Sequence, residues 1–257
     1  MSELDNEKTQ QQEAPSLSQD ALTETIGPNR PFAMEEAHKR LRTNVFFSFA
    51  NQNECRVIGV TSAMAHEGKS TTSINLAYDI LQAGKKVLLI DADMRLSRIA
   101  NTLSLRHSPG LSDLLVGENN GEHLVQVVPK MKNLPVICCG EIPPNPTELL
   151  SSKRMEALLK TLKEAYDYII IDLPPISAVS DALIVSKLTN GVIVVVRQDY
   201  VDKKLLDDTV CQLQLNEARI IGFVMNGTRS ESKYYRYKKY GRKYGYGTDG
   251  YYRGDKK

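Results

Sequence analysis

No stretch of this 257-residue chain stays apolar for the roughly 18 residues that a membrane helix needs. The longest aliphatic run, residues 192–196, has the length of a strand. The opening MSELDNEKTQQQEAP is polar and acidic and lacks the apolar centre of a secretory signal. The four cysteines (Cys55, the adjacent Cys138 and Cys139, and Cys211) form no C-x-x-C pair, and adjacent cysteines rarely make a structural disulfide. A reduced cytosolic protein follows, with cysteines as small buried hydrophobes and no metal or redox role.

The C-terminal end lacks aliphatic residues altogether, and what stands there is unusual. Tyr234, Tyr235, Tyr237, Tyr240, Tyr244, Tyr246, Tyr251 and Tyr252 are interleaved with lysines, arginines and glycines. Such a segment cannot bury a core and is expected to be disordered. Residues 231–257 carry nine Lys/Arg against three Asp/Glu, so most of the basicity is local while the net charge of the chain is only +2. That locality argues against a domain that coats nucleic acid. A coil of about twenty-five residues spans roughly 25–30 Å, enough to reach a neighbouring molecule.

Three regions follow from composition: a disordered polar arm over 1–30, a folded domain over 31–228, and a flexible tyrosine-rich tail over 229–257. A helix is predicted over 33–49. Beyond it, β-branched apolar runs at 56–61, 86–90, 134–138, 168–172, 192–196 and 220–225 alternate with helical patterns that include 70–82, 148–164 and 203–213. Near-continuous apolar strands separated by helices predict an α/β fold, a mostly parallel sheet with helices on both faces.

The first strand runs into Ser62-Ala-Met-Ala-His-Glu-Gly-Lys-Ser-Thr71 and then a helix, the context of a P-loop with Ala63 at the first glycine position. Phosphate binding needs a tight turn whose backbone N–H groups point inward, so Ala65, His66, Glu67, Gly68, Lys69, Ser70 and Thr71 are the candidate nucleotide-binding residues. Lys69 would bridge the β- and γ-phosphates, and the Ser70 hydroxyl would take Mg²⁺. Two further strands end in carboxylates, Asp91-x-Asp93 and Asp172. In parallel α/β sheets ligands bind outside the carboxyl ends of the strands, so all three should face the P-loop. A carboxylate there holds a metal, and a second accepts a proton from a hydroxyl nucleophile.

These features resemble the bacterial tyrosine kinases that control capsule and exopolysaccharide synthesis, a branch of the P-loop NTPases with a three-layer fold. The resemblance covers residues 31–257 and rests on Glu67-Gly-Lys-Ser-Thr71, Asp91-x-Asp93-x-Arg95 and Ile171-Asp-Leu-Pro-Pro175. Gly110-Leu-Ser-Asp-Leu-Leu115, the segment from Gly140 to Leu150 and the tyrosine cluster support it. It implies ATP- and Mg²⁺-dependent phosphorylation of tyrosine, with the eight tail tyrosines as autophosphorylation sites. Catalytic roles would fall to Lys69, Asp91, Asp93 and Asp172, and metal contact to Ser70, Asp93 and Asp172. Either Asp91 or Asp93 is the base. Asn226, ending the last strand, stands where related ATPases contact adenine, or is simply a polar strand end.

The family's Glu-x-x-Arg-x-x-Arg interface pattern appears as Glu36, Lys39 and Arg42, which share a helix face at i, i+3 spacing. It implies a ring-like homo-oligomer; a solvated helix face is the other reading. Ala65-His66 replaces the family's common Pro-Gly, and Leu96-Ser97 its Arg-Pro. The lack of a membrane segment matches the free-standing cytoplasmic type. That type implies a separate membrane-anchored polysaccharide co-polymerase as activator, recruitment to the inner face of the membrane, and a cognate tyrosine phosphatase. The rival assignment is a partitioning or septum-positioning ATPase of the same branch, whose P-loops carry an early lysine that residues 61–65 lack. A single-stranded nucleic-acid binder would use the basic, aromatic tail, but the domain offers no groove for it.

Overall fold

The computed structural model describes residues 25–50 and 54–228. The chain enters through α1 (Phe32–Ser48), then alternates: β1 (Arg56–Ser62), α2 (Lys69–Gln82), β2 (Val87–Asp91), α3 (Ile99–Leu103), α4 (Leu111–Val116), β3 (Val125–Val128) and β4 (Leu134–Ile137). It continues through α5 (Pro146–Leu150), α6 (Lys153–Ala165), β5 (Tyr168–Asp172), α7 (Asp181–Ser186), β6 (Gly191–Arg197), α8 (Lys203–Leu215) and β7 (Ile220–Asn226). The strands form one seven-stranded sheet in the order β3-β4-β2-β5-β1-β6-β7. All neighbours are parallel except β3 against β4.

The mostly parallel, helix-covered sheet expected from the apolar runs is present. Successive residues of the central strands go to opposite faces: Leu89 and Ile170 join one core, while Leu88, Ile90, Ile169 and Ile171 join the other. Both faces are therefore dry, and cutting a side chain such as Ile170 back to alanine would cost about 2–5 kcal/mol. The register sets the ends of β2 and β5 level, with Asp91 paired to Asp172, and β1 runs two residues past its Val60–Asp172 pair into the P-loop. Three chain segments thus end side by side at the carboxyl edge.

Several expectations need correction. The helical pattern over 148–164 is two helices, broken at Ser151–Ser152, because the Ser152 hydroxyl accepts the Met155 N–H and caps a fresh start for α6. The edge strand β3 and the short helices α3, α4 and α7 were not anticipated. The arm expected to run to residue 30 gives way earlier. Gly27 N–H donates to Asn75 Oδ1, Asn75 Nδ2 donates to the Thr25 carbonyl, and Arg30 pairs with Asp79 at 2.6 Å in a nearly fully buried contact. Residues 25–30 are therefore docked on α2. Cys138 and Cys139 are buried and Cys55 half-buried, as expected, but Cys211 is exposed on α8. No described helix is long and apolar enough to cross a membrane.

Candidate functional site

The P-loop connects β1 to α2 through residues 63–68. Its shape is held by Glu67, which is fully buried. One carboxylate oxygen accepts the Met64 N–H at 2.6 Å and the other accepts the Arg197 N–H at 2.9 Å, tying the loop to the end of β6. Burial raises the proton affinity of Glu67, and these N–H donors oppose that rise. Gly68 sits at φ +93° before the first turn of α2, in the left-handed region that costs other residues roughly 1–2 kcal/mol. His66 adopts φ +64°, so this loop position too takes the left-handed conformation that glycine adopts most readily.

Lys69 begins α2 and turns its ammonium inward. Its Nζ lies 2.7 Å from Asp93 Oδ2 and 4.0 Å from Asp172 Oδ2. Burial works against the Lys69 charge, but Asp172, Asp93 and Asp91 outweigh it and raise its proton affinity overall. Asp172 is fully enclosed, which raises its pKa; Lys69 and the hydroxyls of Ser70 and Ser73 work the other way. The Ser73 bond measures 2.9 Å. Asp91 is pushed up to about 7, first by burial and then by the charge of Asp172. One of its oxygens accepts the Ser97 hydroxyl at 2.7 Å, and the other accepts the Asp93 N–H at 3.2 Å.

The turn after β2 is held from both sides. Asp93 Oδ1 accepts the N–H groups of Leu96 and Arg95 at 3.0 and 3.4 Å, which leaves Oδ2 facing Lys69. The Arg95 guanidinium reaches across to Asp181, the buried first residue of α7, with Nε at 2.9 Å from Oδ2. Thr147 of α5 donates to the same carboxylate at 2.6 Å and accepts from Arg95 Nη2 at 3.2 Å.

The Gly110–Leu115 motif builds a support beside this turn. Asp113 Oδ2 accepts the Gly110 N–H at 2.7 Å and the Ser108 hydroxyl at 2.9 Å. The Leu111 and Ser112 N–H groups bond to the carbonyls of Cys138 and Cys139, both at 2.8 Å. A side chain on Gly110 would collide with the Gly140 backbone, so this close approach requires glycine.

The expected constellation therefore converges: Lys69, Ser70, Asp91, Asp93 and Asp172 stand together at the carboxyl edge, beside the loop residues Ala65 to Thr71. Asn226 ends β7 beside the P-loop. Its side-chain nitrogen donates to the Glu67 carbonyl at 2.9 Å, and a side chain on Gly68 would strike it. On α1, Lys39 pairs within its own helix with Glu35 at 2.8 Å and Glu36 at 3.0 Å, while Arg42 reaches the Asp79 carbonyl at 3.4 Å. The eight tail tyrosines lie outside the described residues. Asp181, Thr147 and Ser73 are additions that the sequence reading missed. Thr147 lies in the segment from Gly140 to Leu150, and Asp181 shows only as an acid in the first turn of a helix.

Among the described residues, no cluster of three or more His, Cys, Asp or Glu stands ready to hold a metal alone. The donor set is one hydroxyl and one or two carboxylates, hard oxygen ligands of the kind that bind a divalent ion together with nucleotide phosphates. The buried Lys69 ammonium among three aspartates shows that the pocket favours positive charge.

Residues 55–216 match the family described as AAA domain. The chain is 38% identical over 208 residues to the tyrosine-protein kinase YwqD of Bacillus subtilis, covering 81% of this chain and 86% of that protein. It is 34% identical over 212 residues to the tyrosine-protein kinase CpsD of Streptococcus agalactiae, covering 81% and 90%. Among solved structures, the kinase domain of the Escherichia coli tyrosine kinase ETK superposes with a TM-score of 0.76 at 31% identity, over 88% of this chain and 86% of that one.

Proposed function

The chain belongs to the bacterial tyrosine-protein kinases, and we propose that it uses ATP·Mg²⁺ to phosphorylate tyrosines, beginning with those of its own C-terminal segment in a neighbouring copy. The observation that carries this reading is the buried Lys69 ammonium held between Asp93 and Asp172 at the start of α2. A γ-phosphate at the N-terminus of that 14-residue helix would draw Lys69 from the carboxylates to itself. Ser70, Asp172 and Asp93 would hold Mg²⁺, which supplies neutralising charge on the phosphates.

A tyrosine oxygen attacks the γ-phosphorus, and the bond to the β–γ bridging oxygen breaks. ADP leaves, and the phenolic proton passes to a carboxylate of the Asp91/Asp93 pair. Asp91, held up to about 7, has the proton affinity that a base working near neutral pH needs. Asp93 Oδ2 accepts from the Lys69 ammonium, the group that would contact the γ-phosphate.

The tail sequence supports self-phosphorylation because it carries eight tyrosines with glycines, lysines and arginines interspersed. Each phosphate adds about −1.5 to −2 charges, so three or four would cancel the excess positive charge of the tail. We infer that this reversal loosens a ring-like oligomer built through α1, including Glu36, Lys39 and Arg42. A membrane-anchored polysaccharide co-polymerase on a separate chain would complete the nucleotide site and bring the kinase to the inner face of the membrane, in service of capsule or exopolysaccharide synthesis. A tyrosine phosphatase would reset the tail.

The direct test is incubation with ATP·Mg²⁺ and the activator's cytoplasmic segment, followed by phosphosite mapping. Phosphate should appear on Tyr234–Tyr252 and disappear in Lys69→Met. Equal labelling of that variant overturns the assignment. Equal activity without the activator segment removes the partner from the scheme. An unchanged elution volume after full phosphorylation removes the ring-loosening step.

A further inference from the structure

Asp181 belongs to no motif that the kinase reading uses, yet it is fully buried and ion-paired. A buried carboxylate is costly unless it is neutralised and hydrogen-bonded. Its partner is Arg95, the third residue of the Asp91-x-Asp93-x-Arg95 turn, whose side chain is 41% exposed. Two guanidinium nitrogens meet the two carboxylate oxygens, Nε to Oδ2 at 2.9 Å and Nη2 to Oδ1 at 3.4 Å, and the Thr147 hydroxyl locks the same oxygen Oδ1 at 2.6 Å. The clamp thus joins the turn after β2, the proline-rich segment that enters α5, and the start of α7.

Arg95 is bound at both of its ends. While Asp181 holds the side chain, the backbone N–H of Arg95 donates to Asp93 Oδ1 at 3.4 Å. That bond and the Leu96 N–H orient the carboxylate so that Oδ2 faces Lys69 at 2.7 Å. We propose that Asp181 is a positioning residue for phosphoryl transfer, acting through Arg95 to fix the turn that aims Asp93 at the Lys69 phosphate site. The proposal rests on the kinase reading above. Neither Asp181 nor Thr147 contacts nucleotide or tyrosine in it; their work is to prevent the turn from drifting. A drift of about 1 Å at a reacting carboxylate can cost on the order of 10²-fold in rate.

The test is a double-mutant cycle on the full chain with its activator segment, with kcat, KM for ATP and thermal midpoint measured for each variant. Asp181→Asn keeps the shape of α7 but weakens the clamp. It should lower kcat by about 10- to 100-fold and leave KM for ATP within about twofold. Arg95→Ala should lower kcat similarly and also depress the melting temperature, because Asp181 is left buried without its cation. Adding Asp181→Asn to Arg95→Ala should then restore stability while kcat stays low, since the turn is still untethered. Recovery of kcat together with stability would show that the pair only staples helices, and would overturn the proposal. Wild-type kcat in Asp181→Asn would overturn it equally. The kinase reading stands or falls separately, on phosphate transfer by the wild type.

Discussion

Lys69 and Asp93 form a buried ion pair, Nζ to Oδ2 at 2.7 Å, that spans the gap between the P-loop and the end of β2. The pair supplies the counter-charge that lets Asp91, Asp93 and Asp172 crowd together away from water. Lys69→Met should abolish tyrosine labelling, at a cost of at least about 10²–10³-fold, because the phosphate loses its main side-chain cation. It should also make stability fall more steeply with rising pH than in the wild type. Lys69 is one of the groups holding down the proton affinities of Asp91 and Asp172, so its loss drives both further up. Phosphotyrosine blots and thermal melts across pH read the two effects separately.

The convergence of Lys69, Asp91, Asp93 and Asp172 was legible because P-loop chemistry fixes residue types at fixed spacings after apolar strands. Strand β5 was read to the residue, since a strand buried on both faces leaves an unbroken apolar run in the sequence. Strand β3 left no such trace: it is a four-residue edge strand whose Val125 and Val127 face solvent. Asp181 escaped because nothing local distinguishes a clamp from an acid that favours a helix start. Asn226 was placed at the right strand end, but which way its amide turns depends on the Glu67 carbonyl, a contact across 159 residues of sequence. The docking of Thr25–Arg30 was hidden for the same reason, since its partners Asn75 and Asp79 lie on a distant helix.

Gly68→Ala should weaken ATP binding and destabilise the fold. Its φ of +93° carries a penalty of roughly 1–2 kcal/mol for alanine, and the new methyl group strikes the Asn226 side chain. Combining it with Asn226→Ala should relieve the collision but not the backbone strain, so calorimetric ATP affinity should recover only in part. His66 points in the opposite direction. At φ +64° it already bears such strain, and His66→Gly should raise stability by about 0.5–1 kcal/mol after the flexibility of glycine in the unfolded chain is subtracted. A loss of stability in His66→Gly would show that contacts of the imidazole outweigh the strain.

Arg30→Met should cost about 3–5 kcal/mol, because it leaves Asp79 buried on α2 without its cation. Replacing both partners, as Arg30→Met with Asp79→Leu, should return most of that stability, since the desolvation of two charges goes with them. Denaturant midpoints give the comparison. If Arg30→Met unfolds at the wild-type midpoint, the Arg30–Asp79 pair contributes nothing and residues 25–30 are held by the Asn75 bonds alone.

Asp91 sets the pH dependence. Its carboxyl is held up to about 7 by burial and by Asp172. An unfolded aspartate titrates near 3.9, so the native state retains this proton at pH values where the unfolded chain has lost it. The stability from this group is full below about pH 4 and is lost as the pH rises to about 7. Asp91→Asn, neutral and of the same shape, should therefore melt higher than the wild type at about pH 8, with the difference closing towards pH 4. Ser97 gives the complementary test in phosphotransfer. Its hydroxyl donates to Asp91 at 2.7 Å and favours the charged carboxylate. Ser97→Ala removes that donor, so Asp91 should keep its proton to higher pH and the acidic limb of the rate profile should move upward. An unmoved limb would take Asp91 out of the proton transfer and leave the phenol's proton to Asp93.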